Sequence, residues 1–156
     1  LEKQPSQLAF QLQMANLHRK RGQPQQAIDS LAELYHTFPG NQAIALEYGK
    51  ALLDMSDPKL AETASEVLKQ QLVRRKNDPA LYALYARAAN LAGDEIRSTE
   101  AIAESYYQRG GTEEAITQLE SLERRSDLDY YQRARVSARL MELRIEASES
   151  DKPARS

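Results

Sequence analysis

The chain has 156 residues, 41% hydrophobic and 28% charged, which suits one globular domain or several stacked repeats. A net charge of −2 offers no basic excess for nucleic acid, and the lack of cysteine excludes disulfides and thiolate metal sites. Ala, Leu, Gln, Glu and Arg dominate, Trp is absent, and no apolar run approaches the roughly 20 residues that span a bilayer. The expectation is an all-α chain. No signal peptide precedes the first helical pattern, and the chain reads as an excised piece of something longer, with Leu1-Glu2 as a cloning remnant.

The first pattern runs through residues 8–41. Ala15 is followed after seven residues by Gly22, after five more by Ala27, and after twelve more by Pro39. Ala15 and Ala27 leave room for two helices to cross closely, where a larger side chain would overpack by about 1–3 kcal/mol. Gly22 can take the positive φ that ends a helix, and Pro24 suits the first turn of the next. Ile28, Leu31 and Leu34 repeat at helical spacing and supply its buried stripe. Small residues at helix crossings, Gly at the turn and Pro at the next entry resemble one 34-residue tetratricopeptide repeat.

A helix over 41–54 follows, with Ala45, Tyr48, Gly49 and Leu52 inward. Asp57-Pro58 opens a longer helix to about Lys76, with Leu60, Ala61, Ala64, Val67, Leu68 and Leu72 inward. Pro39 to Pro79 spans 40 residues, so this second repeat is degenerate. Asp78-Pro79 starts a helix carrying Leu81, Tyr82, Tyr85, Ala86 and Ala89, stopped near Gly93. The next runs from about Asp94 to Arg109, is broken by Gly110-Gly111, and is followed by a helix over 113–124 with Ala115, Ile116, Leu119 and Leu122 inward. Ala103, Gly110 and Ala115 repeat the seven-and-five spacing, so the 94–109 helix can close one pair or open the next.

The last helix, about 128–146, is expected to point Leu128, Tyr131, Ala134, Val136, Ala138, Leu140 and Leu143 inward, with a solvated Arg-rich outer side. Residues 147–156 read as a disordered tail. The organisation is therefore an all-α superhelix of about eight helices in four antiparallel hairpins over 1–146.

Catalytic chemistry finds little to stand on. His18 and His36 belong to no HExxH pair, and Gly110-Gly111 lacks the Lys-Ser/Thr of a phosphate loop. Glu113-Glu114 and the basic clusters Arg19-Lys20-Arg21, Arg74-Arg75-Lys76 and Arg124-Arg125 sit at helix ends that suit their charge. No cofactor is expected for this piece.

The repeat resemblance implies that the first helix of each pair lines a concave groove for a protein segment. In this register the groove residues are Asn16, Arg19 and Lys20; Leu46, Lys50 and Leu53; and Arg87, Asn90 and Leu91. An apolar floor with cationic and amide groups suits a peptide bearing carboxylates. Leu12 stands where some arrays place the Lys of a Lys-Asn clamp for chaperone tails, which disfavours that class of partner.

Ala103-Glu104-Ser105-Tyr106-Tyr107-Gln108-Arg109-Gly110, then Ala115-Ile116-Thr117-Gln118-Leu119, resemble the C-terminal repeats of BepA-type periplasmic zinc metallopeptidases. The closing Tyr130-Tyr131-Gln132-Arg133-Ala134-Arg135-Val136-Ser137-Ala138-Arg139-Leu140 strengthens the likeness. That resemblance implies a periplasmic, non-catalytic docking domain, its zinc and HExxH centre in a peptidase domain absent here. It also implies partners among the β-barrel assembly machinery or unfolded outer-membrane proteins, with no nucleic acid and no membrane insertion. The alternative is a scaffold repeat of another envelope assembly, such as a pilus or secretion complex, with no linked protease.

Overall fold

The computed structural model describes residues 3–150. Among these residues there are eight helices and no strand: α1 (Lys3–Lys20), α2 (Pro24–Thr37), α3 (Gln42–Asp54), α4 (Pro58–Arg74), α5 (Pro79–Leu91), α6 (Glu95–Gln108), α7 (Thr112–Glu123) and α8 (Tyr130–Ser150). Each packs on its neighbours in the chain, and α3 also touches α1 and α5, so antiparallel hairpins stack in a superhelix.

The helix starts are written locally. Asn41, Asp57, Asp78 and Asp94 each accept a hydrogen bond from a backbone N–H of the first turn, at 2.9–3.1 Å. These caps satisfy donors that a helix cannot pair internally, each contributing about 1 kcal/mol. Pro24, Pro58 and Pro79 occupy the first turn, where a missing N–H costs little.

The hairpin turns share one code. Positive φ occurs at Gly22 (71°), Ser56 (51°), Gly93 (86°) and Gly110 (86°). Each stands seven residues after a buried small residue (Ala15, Gly49, Ala86, Ala103) and five before another (Ala27, Ala61, Ser98, Ala115). The left-handed residue reverses the chain, and the small pair marks where the two helices cross. After the glycines, Gln23 donates to His18 O, Asp94 to Ala89 O and Gly111 to Tyr106 O, at 2.8–2.9 Å, closing the preceding helix. At Gly49 an added Cβ would lie 3.0 Å from Leu68 Cδ2, so the α3–α4 crossing has almost no slack.

Both readings of the 94–109 helix hold, because α6 is preceded by Gly93 and followed by Gly110 in the same geometry. It closes the α5–α6 hairpin and opens α6–α7. The buried core divides at this helix: Ala101 and Ile102 pack with α1–α5, whereas Ile96, Ala103 and Tyr107 pack with α7 and α8. The irregular second repeat comes from α4, which has 17 residues where α2 has 14.

Side-chain bonds follow the repeat period. Arg19 to Asp54, Tyr35 to Gln70, Arg135 to Glu100 and Arg139 to Glu104 all join residues 35 apart. The pair α6/α8 is therefore spaced as α1/α3 is.

The last helix departs from expectation in three ways. Val136, Leu140 and Leu143 are buried, but Tyr131, Ala134 and Ala138 point outward, since they fall on the opposite side of the helical wheel. Its arginines are a solvated face only in part: Arg133 and Arg144 are exposed, whereas Arg135 and Arg139 bond Glu100 and Glu104 on α6. The helix also runs past 146 to Ser150, because nothing breaks it there and Ala147 packs on the core. The remainder of the expected tail, 151–156, lies outside the described residues.

Candidate functional site

An open cleft of about 680 Å³ lies along the closely packed α5–α6 hairpin. Ala83, Ala86, Arg87 and Asn90 line one wall from α5, and Ser98, Thr99, Ile102, Ser105, Tyr106 and Arg109 line the other from α6, with Glu95 and Arg125 at one end. The floor is made of small side chains because Ala86 and Ser98 are the crossing residues of this hairpin. The hydroxyl of Ser105 donates to the Pro79 carbonyl at 2.9 Å, tying α6 to the start of α5 and fixing the wall.

Charge in the cleft is uneven. Arg125 donates from Nε and Nη2 to Asp127 at 2.8 and 2.7 Å and from Nη1 to Glu95 at 3.1 Å. Its hydrogen bonds hold the Asp127 carboxyl down to about 2 and push the guanidinium further up. Arg125 is thus neutralised in place. Arg87 and Arg109 are exposed and have no ion-pair partner among the described residues. They leave one guanidinium on each wall of the trough, able to grip carboxylates as planar forks.

Of the nine expected groove residues, Arg87 and Asn90 line this cleft and Leu91 lies half-buried against the core beside it. Asn16 and Lys20 are exposed on α1. Arg19 and Lys50 are brought together by an acid: Arg19 donates to Glu47 at 3.0 Å and to Asp54 at 2.7 Å, and Lys50 to Glu47 at 2.9 Å. This network rivets α1 to α3 and leaves both cations neutralised. Leu46 is half-buried at the core edge, and Leu53 is 0% exposed, so Leu53 is core and not groove lining. The correction follows from the place of α3, which is packed by α1, α2, α4 and α5 and has few open sides.

Thr99, Ile102, Tyr106 and Arg109 lie outside the expected groove set, which draws only on first helices. The signal was present: α6 carries the first-helix spacing Ala103–Gly110–Ala115. Leu12, in the place of a clamp lysine, packs half-buried against the core.

A second depression, of about 730 Å³, lies on the outer side of α1 and α2 among Phe10, Met14, His18, Leu34 and Phe38. His18 Nδ1 lies 3.1 Å from Gln23 Oε1 at its edge, and His36 is exposed. Among the described residues no three His, Cys, Asp or Glu side chains are grouped to hold a metal ion, and no helix is long and apolar enough to cross a membrane.

Residues 18–88 match the family model described as tetratricopeptide repeat, which covers the α1 end through most of α5. No curated protein matches the chain.

Proposed function

We propose that this stack of tetratricopeptide-type hairpins is a non-catalytic docking module whose α5–α6 cleft receives an extended, carboxylate-bearing protein segment. The observation that carries this reading is the pair Arg87 and Arg109, exposed and uncompensated on opposite walls of an apolar trough. Cations elsewhere on the same side, such as Arg19 and Lys50, already have acids of their own. An acidic peptide titrated by calorimetry should bind with an affinity that falls with salt, and replacing both arginines (Arg87→Glu with Arg109→Glu) should weaken it by about tenfold or more. Equal binding of a neutral scrambled peptide, or no loss in the charge-reversed variant, would refute the cleft.

The finer proposal is that the module serves a BepA-type periplasmic zinc metallopeptidase in the assembly and quality control of outer-membrane β-barrel proteins. Supporting it are the segments Ala103–Gly110 and Tyr130–Leu140, whose likeness to that family was noted above. The structural use of these segments is compatible: Glu104 and Arg139, one from each, form an ion pair. A pull-down of β-barrel assembly components with the chain is the direct test, and capture no better than by the charge-reversed variant counts against it. A scaffold repeat of another envelope assembly is the second reading. An HExxH helix encoded ahead of Leu1 favours the first reading, and a lipoprotein or transmembrane segment there favours the second.

A further inference from the structure

α8 carries two apolar stripes. Val136, Leu140, Leu143 and Ala147 pack into the second core. Tyr131, Ala134, Ala138, Met141 and Ile145 face away from it, with Tyr131 at 78%, Met141 at 65% and Ile145 at 52% exposure. Scattered exposed apolar residues need no explanation, but these form one continuous row. Their spacing is three, four, three, four, and Ser148 extends it by three more. That is the seam of two helices wound around each other.

We propose that the seam is filled by α8 of a second copy of the chain, running antiparallel. Side-chain size selects both the occupant and its direction. With Ala138 opposite the second copy's Met141, Ala134 falls opposite Ile145 and Tyr131 opposite Ser148. Every layer then sets a small side chain against a large one, as a close-packed interface requires. A parallel pair would set Ala on Ala in two layers, leaving voids, and Tyr on Tyr and Met on Met in others. Charge agrees with the antiparallel register. Arg135 of one copy, which already holds Glu100 of its own chain, falls beside Glu142 of the other, and Arg144 falls beside the uncharged Ser137, so no like charges meet across the seam. Glu142 is held within its own helix only by Arg139 and is 65% exposed at its side chain, free to turn toward a neighbour. Residues 131–148 give a seam about 27 Å long, which predicts a reversible dimer of modest affinity.

Sedimentation velocity across micromolar to sub-millimolar concentrations should show the chain passing from monomer to dimer. Met141→Glu should remain monomeric with unchanged helical circular dichroism, since the native side chain is 65% exposed in the monomer and lies outside the core. The chain has no cysteine, so direction is also measurable. Ala134→Cys mixed with Ile145→Cys should oxidise to a disulfide-linked heterodimer, whereas Ala134→Cys alone should not cross-link. A monomer at every concentration, a dimer that survives Met141→Glu, or self-cross-linking of Ala134→Cys would each overturn the proposal.

Discussion

Arg139 grips Glu104 through two parallel bonds, Nε to Oε1 at 2.6 Å and Nη2 to Oε2 at 3.0 Å, while its guanidinium carbon lies 4.8 Å from the centre of the Tyr107 ring. The hydrogen bonds to Glu104 are the main reason its guanidinium is held protonated more firmly than usual. Arg135 repeats the arrangement one turn earlier on Glu100. Both bonds join α8 to α6, two helices apart in the chain.

The clamp predicts a measurable coupling. Arg139→Ala should destabilise the chain by about 1–2 kcal/mol, between the values for exposed and buried ion pairs, because both side chains are only partly exposed. Combined with Glu104→Ala, the loss should be clearly less than the sum of the two. Urea unfolding of the four proteins gives the answer, and additive losses would show that the pair is not coupled.

The α3–α4 crossing should resist enlargement. Gly49→Val would drive a branched side chain into Leu68, already in contact distance of a bare Cβ, and should cost about 1–3 kcal/mol. Gly49→Ala should come out close to neutral, as its better helix propensity offsets the push on Leu68. The ordering of the two midpoints in urea is the check.

Ser56 occupies a left-handed position that the other three turns give to glycine. Ser56→Gly should therefore stabilise by about 0.5–1 kcal/mol, the relief of backbone strain outweighing the added freedom of the unfolded chain. Gly93→Ala, at φ 86°, should destabilise by about 1 kcal/mol. Thermal unfolding should shift upward for the first and downward for the second.

Arg87 and Lys50 should separate binding from structure. Arg87→Glu is expected to weaken an acidic peptide without altering stability, as the native side chain has no ion-pair partner among the described residues. Lys50→Glu would place a third carboxylate beside Glu47 and Asp54, and should lower stability while leaving the α5–α6 cleft intact. Calorimetric binding and urea midpoints, measured on both variants, should move in opposite combinations.

Asp127 should titrate near 2, below the ordinary carboxylate value of 3.8, because Arg125 donates two hydrogen bonds to its ionised form. A depressed folded pKa contributes stability that is complete above the unfolded value and is lost as pH falls from about 4 through about 2. Carboxyl chemical shifts followed by NMR should show that midpoint, and Arg125→Ala should return it toward the ordinary range.

Much of the fold is legible in single residues. The spacing of Ala15, Gly22 and Ala27 fixes a turn and a crossing through local sterics, and Asp57-Pro58 and Asp78-Pro79 mark helix starts through local hydrogen bonds. Ser56 is less legible because serine does not announce a positive φ, although Gly49 and Ala61 flank it at the same intervals. The face of α8 was harder. Its two apolar stripes are both helical in period, and only packing decides that Val136 turns in and Tyr131 turns out. The groove residues were least legible, since Glu47 and Asp54 neutralise Arg19 from 28 and 35 residues away. Periodicity does not report partners at that range. Leu53 failed for a related reason: a helix enclosed by four others buries residues that a two-sided helix would expose.

Because α6 belongs to two hairpins, it behaves as a common beam. One side carries Ile102 and Arg109 in the cleft, and another carries Glu100 and Glu104 under the arginines of α8. The two arginines of α8 therefore hold the same helix that forms one wall of the cleft. Whatever fixes the angle of that one helix fixes both the width of the trough and the seat of the terminal helix.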